Sequence, residues 1–246
     1  MSFKDHFSRQ SAAYSRHRPG YPPELIAWVA AQAPDHRLAV DCATGSGQAA
    51  VALAMHFERV LAVDGSLSQV RNAAASPRVF YVVATAERLP LADRSAALVA
   101  SAQAAHWFDF DRFNAECRRV LVPGGVVAAW TYEIFRVDAA VDAVIDHFYS
   151  VVVGRYWPPE RRYVEQAYRT LPFPWREESP PVFALDTDWD LDQVLGYVAT
   201  WSSVQRYKDQ VGRDPLPSLR RELLEAWPDG GPRRLRWPIH LRLGRA

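Results

Sequence analysis

The chain has 246 residues, 49% of them apolar, which can bury a full core and is long for one minimal domain, so one elaborated domain or a domain with a cap is expected. Its 29 basic and 28 acidic residues leave a net charge of +1, which supplies no bulk field for nucleic acid or an anionic membrane surface. Cys42 and Cys117 form no metal-spaced pair, the opening MSFKDHFSRQ lacks an apolar signal core, and no run of roughly 18 apolar residues occurs, so a soluble cytoplasmic protein is expected.

From Leu38 to Tyr132 strand-like runs alternate with helical patterns. LAV (38–40) leads into the loop DCATGSGQAA (41–50), and QAAVALAMHF reads as the helix after it. VLAVD (60–64) is a second short buried strand, and Ser66 then opens a helix through a capping box with Gln69. VFYVVAT (79–85) is a third strand and AALVASA (96–102) a fourth. Asp111 is the expected N-cap of a helix whose apolar positions Phe113, Cys117, Val120 and Leu121 recur at helical steps. Pro123, Gly124 and Gly125 stop it, and VVAAWTY (126–132) is a fifth strand. Strands with little alternation, separated by helices, predict a doubly wound Rossmann-like α/β domain. Its sheet is mostly parallel, and its ligand sits at the carboxyl ends of the strands.

Beyond residue 135 the pattern becomes helical. Val137, Val141, Val144, Ile145 and Phe148 mark one amphipathic helix, and Tyr163, Ala167, Tyr168 and Leu171 another. Leu191, Val194, Leu195 and Val198 mark a third behind the cap Asp190, and Leu219, Leu223, Leu224 and Trp227 a last one before PDGGP. In the closing RLRWPIHLRLGR, Leu235, Trp237, Ile239, Leu241 and Leu243 alternate with polar residues, the period of a strand. Pro238 predicts a local defect there, because proline lacks a ladder donor. Arg233, Arg234 and Arg236 read as a solvated strand face rather than a phosphate patch.

The loop at 41–50 satisfies the G-x-G-x-x-G/A dinucleotide fingerprint through Gly45, Gly47 and Ala50. A pyrophosphate would sit on the N-terminus of the following helix, where backbone N–H groups favour negative charge. The carboxylate of Asp41 would oppose it: unit charges about 4 Å apart interact by roughly 4 kcal/mol at an effective dielectric near 20. A ligand with a sulfonium and an ammonium but no phosphate, such as S-adenosylmethionine, turns that term into attraction. The glycines then serve close approach of the ligand. Asp64, before Gly65 at the end of the second strand, can accept both ribose hydroxyls, as an acid does in NAD enzymes too. Ala86 and Glu87 leave the third strand beside the expected adenine position.

Residues 38–132 resemble the core of the class I S-adenosylmethionine-dependent methyltransferases, whose first motif is an acid followed by alternating glycines. Here it reads D-x-A-x-G-x-G, with Ala43 in place of the first glycine, which narrows the pocket. VDGSLSQV resembles the second motif, with Gln69 where an apolar residue is commoner, and VLVPGG resembles the turn before strand five. YSRHRPGYP (14–22), AAHWFDFDRFNAECRRVLVPGG (104–125) and TWSSVQRY (200–207) resemble the trans-aconitate methyltransferase-like, type 11 branch, so the likeness covers nearly the whole chain. The fold so implied has a seven-stranded sheet. It has a cofactor-covering segment at 1–35, a cofactor-binding core at 36–135, and a helical cap at 136–232 with a sixth strand near 182–186. Residues 233–246 form the terminal strand of the core sheet. The resemblance further implies that Tyr14 and Arg18, matching a Y-x-x-x-R-P pattern, lie over the cofactor, with Arg18 forking onto its methionine carboxylate.

The fourth strand ends in SAQAAHWF and lacks the N/D-P-P-Y motif that the resemblance associates with amine methyltransferases of nucleic-acid bases. With near-zero net charge, this favours a small acceptor over DNA. Gln103 is expected beside the methionine moiety or the transferring methyl group. His106 is either a base near neutral pH or a packed wall residue next to Trp107. His106, Asp109 and Asp111 have no strong ligand spacing, so no metal is expected. Trp107, Trp157, Trp175 and Trp201 are candidate pocket walls. The reading is an S-adenosylmethionine-dependent methyltransferase of a small molecule, with O-methylation of a carboxylate or hydroxyl by in-line transfer. Two alternatives stand beside it: an NAD-dependent oxidoreductase, which Asp41 disfavours, and a cofactor-binding protein without acceptor chemistry, which Ala43 leaves open.

Overall fold

A computed structural model describes residues 18–246, so Tyr14 lies outside the described residues. Five strands pair in parallel in the order β3-β2-β1-β4-β5: β1 (Leu38–Cys42), β2 (Arg59–Asp64), β3 (Val79–Val83), β4 (Ala96–Ala102) and β5 (Leu121–Tyr132). Their side chains alternate between two buried faces. Ala39, Val60 and Ala62 pack on one side, and Val40, Cys42, Leu61 and Val63 on the other. Burial on both faces is why these strands read as continuous apolar runs. Helices α1 (Pro23–Ala31), α2 (Gln48–Leu53), α3 (Leu67–Asn72) and α4 (Phe110–Val120) accompany this half.

The remaining strands are antiparallel additions. β6 (Arg176–Glu178) and β7 (Phe183–Trp189) pair along successive parts of one edge of β8 (Arg233–Arg245), whose other edge pairs with β5. The sheet therefore has eight strands, one more than expected, the extra one being the three-residue β6. In β8, Leu235, Trp237 and Leu243 are fully buried, while Arg234 and Arg236 meet Asp186 at 3.3 and 3.2 Å. Pro238 causes no break. Its carbonyl accepts from the Glu133 N–H at 3.3 Å, just past the end of β5, and its register with Ala184 of β7 is kept.

Helices α5 (Ala139–His147), α6 (Arg161–Glu165), α7 (Leu191–Ala199), α8 (Ser202–Val211) and α9 (Leu216–Ala226) follow β5. Asp190 caps α7 in a full capping box with Gln193. Three local expectations need correction. The cap of α4 is Asp109, whose carboxylate accepts the Arg112 N–H at 3.2 Å, while Asp111 sits in the first turn, where an acid still complements the helix dipole. At Ser66 only half of the box forms: Ser66 Oγ accepts from the Gln69 N–H, but the Gln69 side chain does not return the bond. The pattern at 163–171 does not continue as a helix past Glu165, because Ala167 and Tyr168 adopt left-handed backbone at φ 54 and 58.

Gly244 of β8 lets the chain at 173–175 close over the sheet. A Cβ there would run into Trp175 Cβ and come within 2.9 Å of Phe173 Cε1. Trp175 is held from its far side by an Nε1–H bond to Asn114 Oδ1 at 2.7 Å, so it has little room to move. Gly244→Ala is expected to lower unfolding stability by about 1–3 kcal/mol, as overpacking does, read as a fall in the denaturation midpoint with an unchanged slope.

Candidate functional site

The carboxyl ends of β1, β2 and β4 meet around a cleft of about 860 Å³. Its floor is the loop after β1, where Ala43, Gly45 and Gly47 all take left-handed backbone, at φ 55, 55 and 84. Only glycine adopts that region without cost, so Ala43 carries about 1–2 kcal/mol of strain that a glycine would avoid. Asp64 ties the loop to β2. Its Oδ2 accepts the Gly45 N–H at 2.9 Å and its Oδ1 the Ser66 N–H at 2.8 Å. Gln48 Nε2 reaches the Arg18 carbonyl at 3.0 Å and so ties the start of α2 to the described N-terminus.

Of the residues singled out from the sequence, Ala43, Gly45, Asp64, Gly65, Gln69, Ala86, Glu87, Gln103 and His106 all line this cleft. The Gln69 side chain is buried, and its Oε1 has no hydrogen-bond partner among the described residues. Glu87 Oε1 accepts the Asp109 N–H at 3.0 Å, so one of its oxygens also caps the turn into α4. Gly47 does not line the cleft: it faces Tyr81, whose Oη a Cβ at Gly47 would strike.

Asp41 and Arg18 do not line the cleft either. Asp41 is fully buried behind the loop, with Oδ2 accepting from Thr44 Oγ1 at 2.6 Å and Oδ1 unpartnered among the described residues. Burial pushes its pKa up to about 7, reinforced by the nearby Asp64 charge and moderated by the Thr44 hydroxyl. Arg18 donates from Nη1 to Tyr132 Oη at 3.0 Å and lies over the Tyr197 ring at 4.9 Å.

Those contacts place Arg18 on a second, smaller chamber of about 50 Å³, lined also by Tyr132, Trp157, Arg161, Tyr197 and Trp201. Gln103, His106 and Trp107 line both the chamber and the cleft. Arg161, Tyr132 and Tyr197 carried no sequence signal, because α6, β5 and α7 converge there only in three dimensions. Trp175, a candidate wall, lines neither cavity. His106 Nδ1 is 2.8 Å from Tyr168 Oη, a contact made possible by the left-handed turn after α6. Burial first, and the Arg161 charge second, lower the His106 pKa to about 3, so its imidazole is neutral at physiological pH. Arg161 donates from Nε to Tyr149 Oη at 2.8 Å and stacks on Trp157 at 4.6 Å, and the Tyr149 hydroxyl donates in turn to Glu165 Oε1 at 2.7 Å.

Residues 40–129 match the family model described as a methyltransferase domain. A provisionally named methyltransferase of Dictyostelium discoideum is 31% identical over 92% of this chain and 87% of its own length. The chain belongs to the class I S-adenosylmethionine-dependent methyltransferases. A solved structure from Anaeromyxobacter dehalogenans, provisionally described as a type II methyltransferase, superposes with a TM-score of 0.86 at 48% identity, covering 93% of this chain and 97% of that one. An uncharacterized methyltransferase of Mycobacterium tuberculosis is 40% identical over 48% of this chain and 49% of its own. In this methyltransferase, no helix among the described residues is long and apolar enough to cross a membrane.

Asp41 gives the enzyme a measurable pH signature. The folded chain holds the Asp41 proton up to about pH 7, against the ordinary 3.8 of a free carboxyl, so its contribution to stability is full below 3.8 and is lost as pH rises toward 7. Asp41→Asn, neutral throughout, escapes that loss. The melting temperature of the variant relative to wild type should rise steadily between about pH 4 and pH 8, and a constant difference would contradict the assignment.

Proposed function

We propose that the cleft holds S-adenosylmethionine and the inner chamber a small acceptor, which is methylated on oxygen. The observation that carries this reading is that Gln103, His106 and Trp107 line both cavities, so the contents of one lie next to the contents of the other. The cleft volume suits a ligand of this size, since small-molecule sites run to about 300–1,000 Å³. Asp64 lines the cleft at the end of β2, where a carboxylate suits the ribose hydroxyls, and the glycine loop lets the ligand approach the backbone. Ala86, Glu87 and the unmatched Gln69 Oε1 suit the adenine end. When bound, the cofactor supplies a methyl group on a positively charged sulfur. The protein's share is alignment of the acceptor and exclusion of water, and such positioning can supply roughly 7–11 kcal/mol.

Within O-methylation, the chamber favours a carboxylate acceptor. A hydroxyl must lose its proton, and His106, with a pKa of about 3, is a weak base for that task. A carboxylate is already ionised, and Arg161 places a guanidinium on the chamber wall.

Two measurements bear on this. Calorimetric titration should show S-adenosylhomocysteine binding and NAD not binding, with Asp64→Ala weakening the former by about 10–100-fold for the loss of charged hydrogen bonds. Unchanged affinity in the folded variant would place the ribose elsewhere. In a turnover assay over carboxylates, phenols and thiols, the accepted compound should be an acid, with a rate that stays flat between about pH 6 and pH 8. His106→Gln should then act mainly on KM. A rate that climbs through an apparent pKa near neutrality and collapses in His106→Gln would show general-base catalysis and a hydroxyl acceptor instead.

A further inference from the structure

Gln103 is the first residue past β4 and lines both cavities. Its backbone is left-handed at φ 60, a region disfavoured for any residue with a Cβ and held here by the Gln103 N–H bond to the Trp130 carbonyl at 2.8 Å. The turn swings the side chain toward β5. There the fully buried Thr131 donates its hydroxyl proton to Gln103 Oε1 at 3.0 Å. The other acceptor near that hydroxyl, the Tyr132 carbonyl, is 3.5 Å away, at the outer limit of a hydrogen bond. Thr131 therefore selects one of the two amide orientations, with the oxygen toward β5 and the nitrogen away from it. The Nε2 atom so directed is buried and has no hydrogen-bond partner among the described residues. A buried donor of this kind destabilises the fold unless an oxygen receives it.

Resting on the reading that the cofactor fills the cleft and a small acceptor the chamber, we propose that Gln103 Nε2 donates to the acceptor oxygen at their junction. Thr131 is the positioning residue that keeps the amide turned that way. The pair works as a selector. An N–H donor at this point receives a group with an exposed lone pair and turns away an ammonium. A carboxylate satisfies it with one oxygen and keeps the other for the methyl carbon. With the amide flipped, Oε1 would face the junction and the preference would invert toward an N–H donor. One hydroxyl on β5 thus decides which chemical class of acceptor fits.

The test uses the full chain saturated with S-adenosylhomocysteine. It is titrated with acetate, propionate and benzoate, and with benzylamine as the cationic control. Tryptophan fluorescence reports binding, since Trp107, Trp157 and Trp201 line the chamber. The side-chain amide resonances of Gln103, assigned by their loss in Gln103→Met, report the contact. At least one acid should saturate and shift a Gln103 amide proton downfield. Its affinity should fall about tenfold or more in Gln103→Met and Gln103→Glu, the size of one lost hydrogen bond to a charged group. Thr131→Val, which keeps the shape and removes the hydroxyl, should narrow the preference for acid over amine, and Thr131→Ser should restore it. Affinity for S-adenosylhomocysteine should stay level in both Thr131 variants, since Thr131 lines neither cavity. The proposal is overturned if wild type binds S-adenosylhomocysteine but no acid moves the Gln103 resonance. It is equally overturned if the Gln103 variants keep the acid, or if the Thr131 variants lose S-adenosylhomocysteine in step with it. Failure of wild type to bind S-adenosylhomocysteine overturns the functional reading itself, and this proposal with it.

Discussion

The carboxylate of Asp64 joins the two segments on which the cleft depends. With one oxygen it holds the amide of Gly45, and with the other the amide of Ser66, so the loop after β1 and the entry to α3 share a single anchor. A charge-assisted bond of this kind is shorter and stronger than one between neutral groups. It is needed because the loop makes three left-handed turns, one of them at a residue with a Cβ. The parallel sheet reinforces the arrangement. Both of its faces are covered by apolar side chains, so polar groups can reach a ligand only at the strand ends.

Electrostatics then separates the two cavities. Behind the cleft, burial pushes the Asp41 carboxyl well above the usual carboxylate range, to about 7. In the inner chamber the shift has the opposite sign. Arg161 stacks on an aromatic ring, while burial strips His106 of its proton. A neutral histidine with its pKa lowered to about 3 is poorly suited to remove a proton. The two shifts come from one cause, an interior dry enough to penalise the charged form of either group.

The left-handed residues at the ends of β1 and β4 serve related purposes. At Gly45 and Gly47 the turn brings the backbone close to the cleft and to Tyr81. At Gln103 it directs a side chain, and the strain at a non-glycine residue persists because the Trp130 carbonyl and the Thr131 hydroxyl hold both ends of the glutamine. β8 adds a further constraint. By pairing with β5, β6 and β7 it carries the later helices back against the sheet, and only then do Arg161 and Tyr197 come within reach of the β4 exit.

The parallel half of the fold was legible residue by residue. β1, β2, β4 and the terminal strand show in apolar runs and in period-two alternation, since sheet burial is a local pattern. The motif residues of the cleft were legible for the same reason: Gly45, Asp64, Gly65, Ala86 and Glu87 stand at or within a few residues of strand ends, so strand position places them. Where local rules compete, tertiary context decided. Asp109 and Asp111 are equally good caps on paper, and Asp109 is the one whose carboxylate meets the Arg112 amide. The helical pattern at 163–171 gave way to a left-handed turn that presents Tyr168 to His106. Asp41, read as a charge facing a ligand, lies instead in a dry interior, a fact of burial that no spacing encodes. The inner chamber was invisible for a deeper reason. Its walls come from segments more than a hundred residues apart in places, as with Arg18 and Tyr132, and side-chain convergence over such separations is a property of packing rather than of pattern.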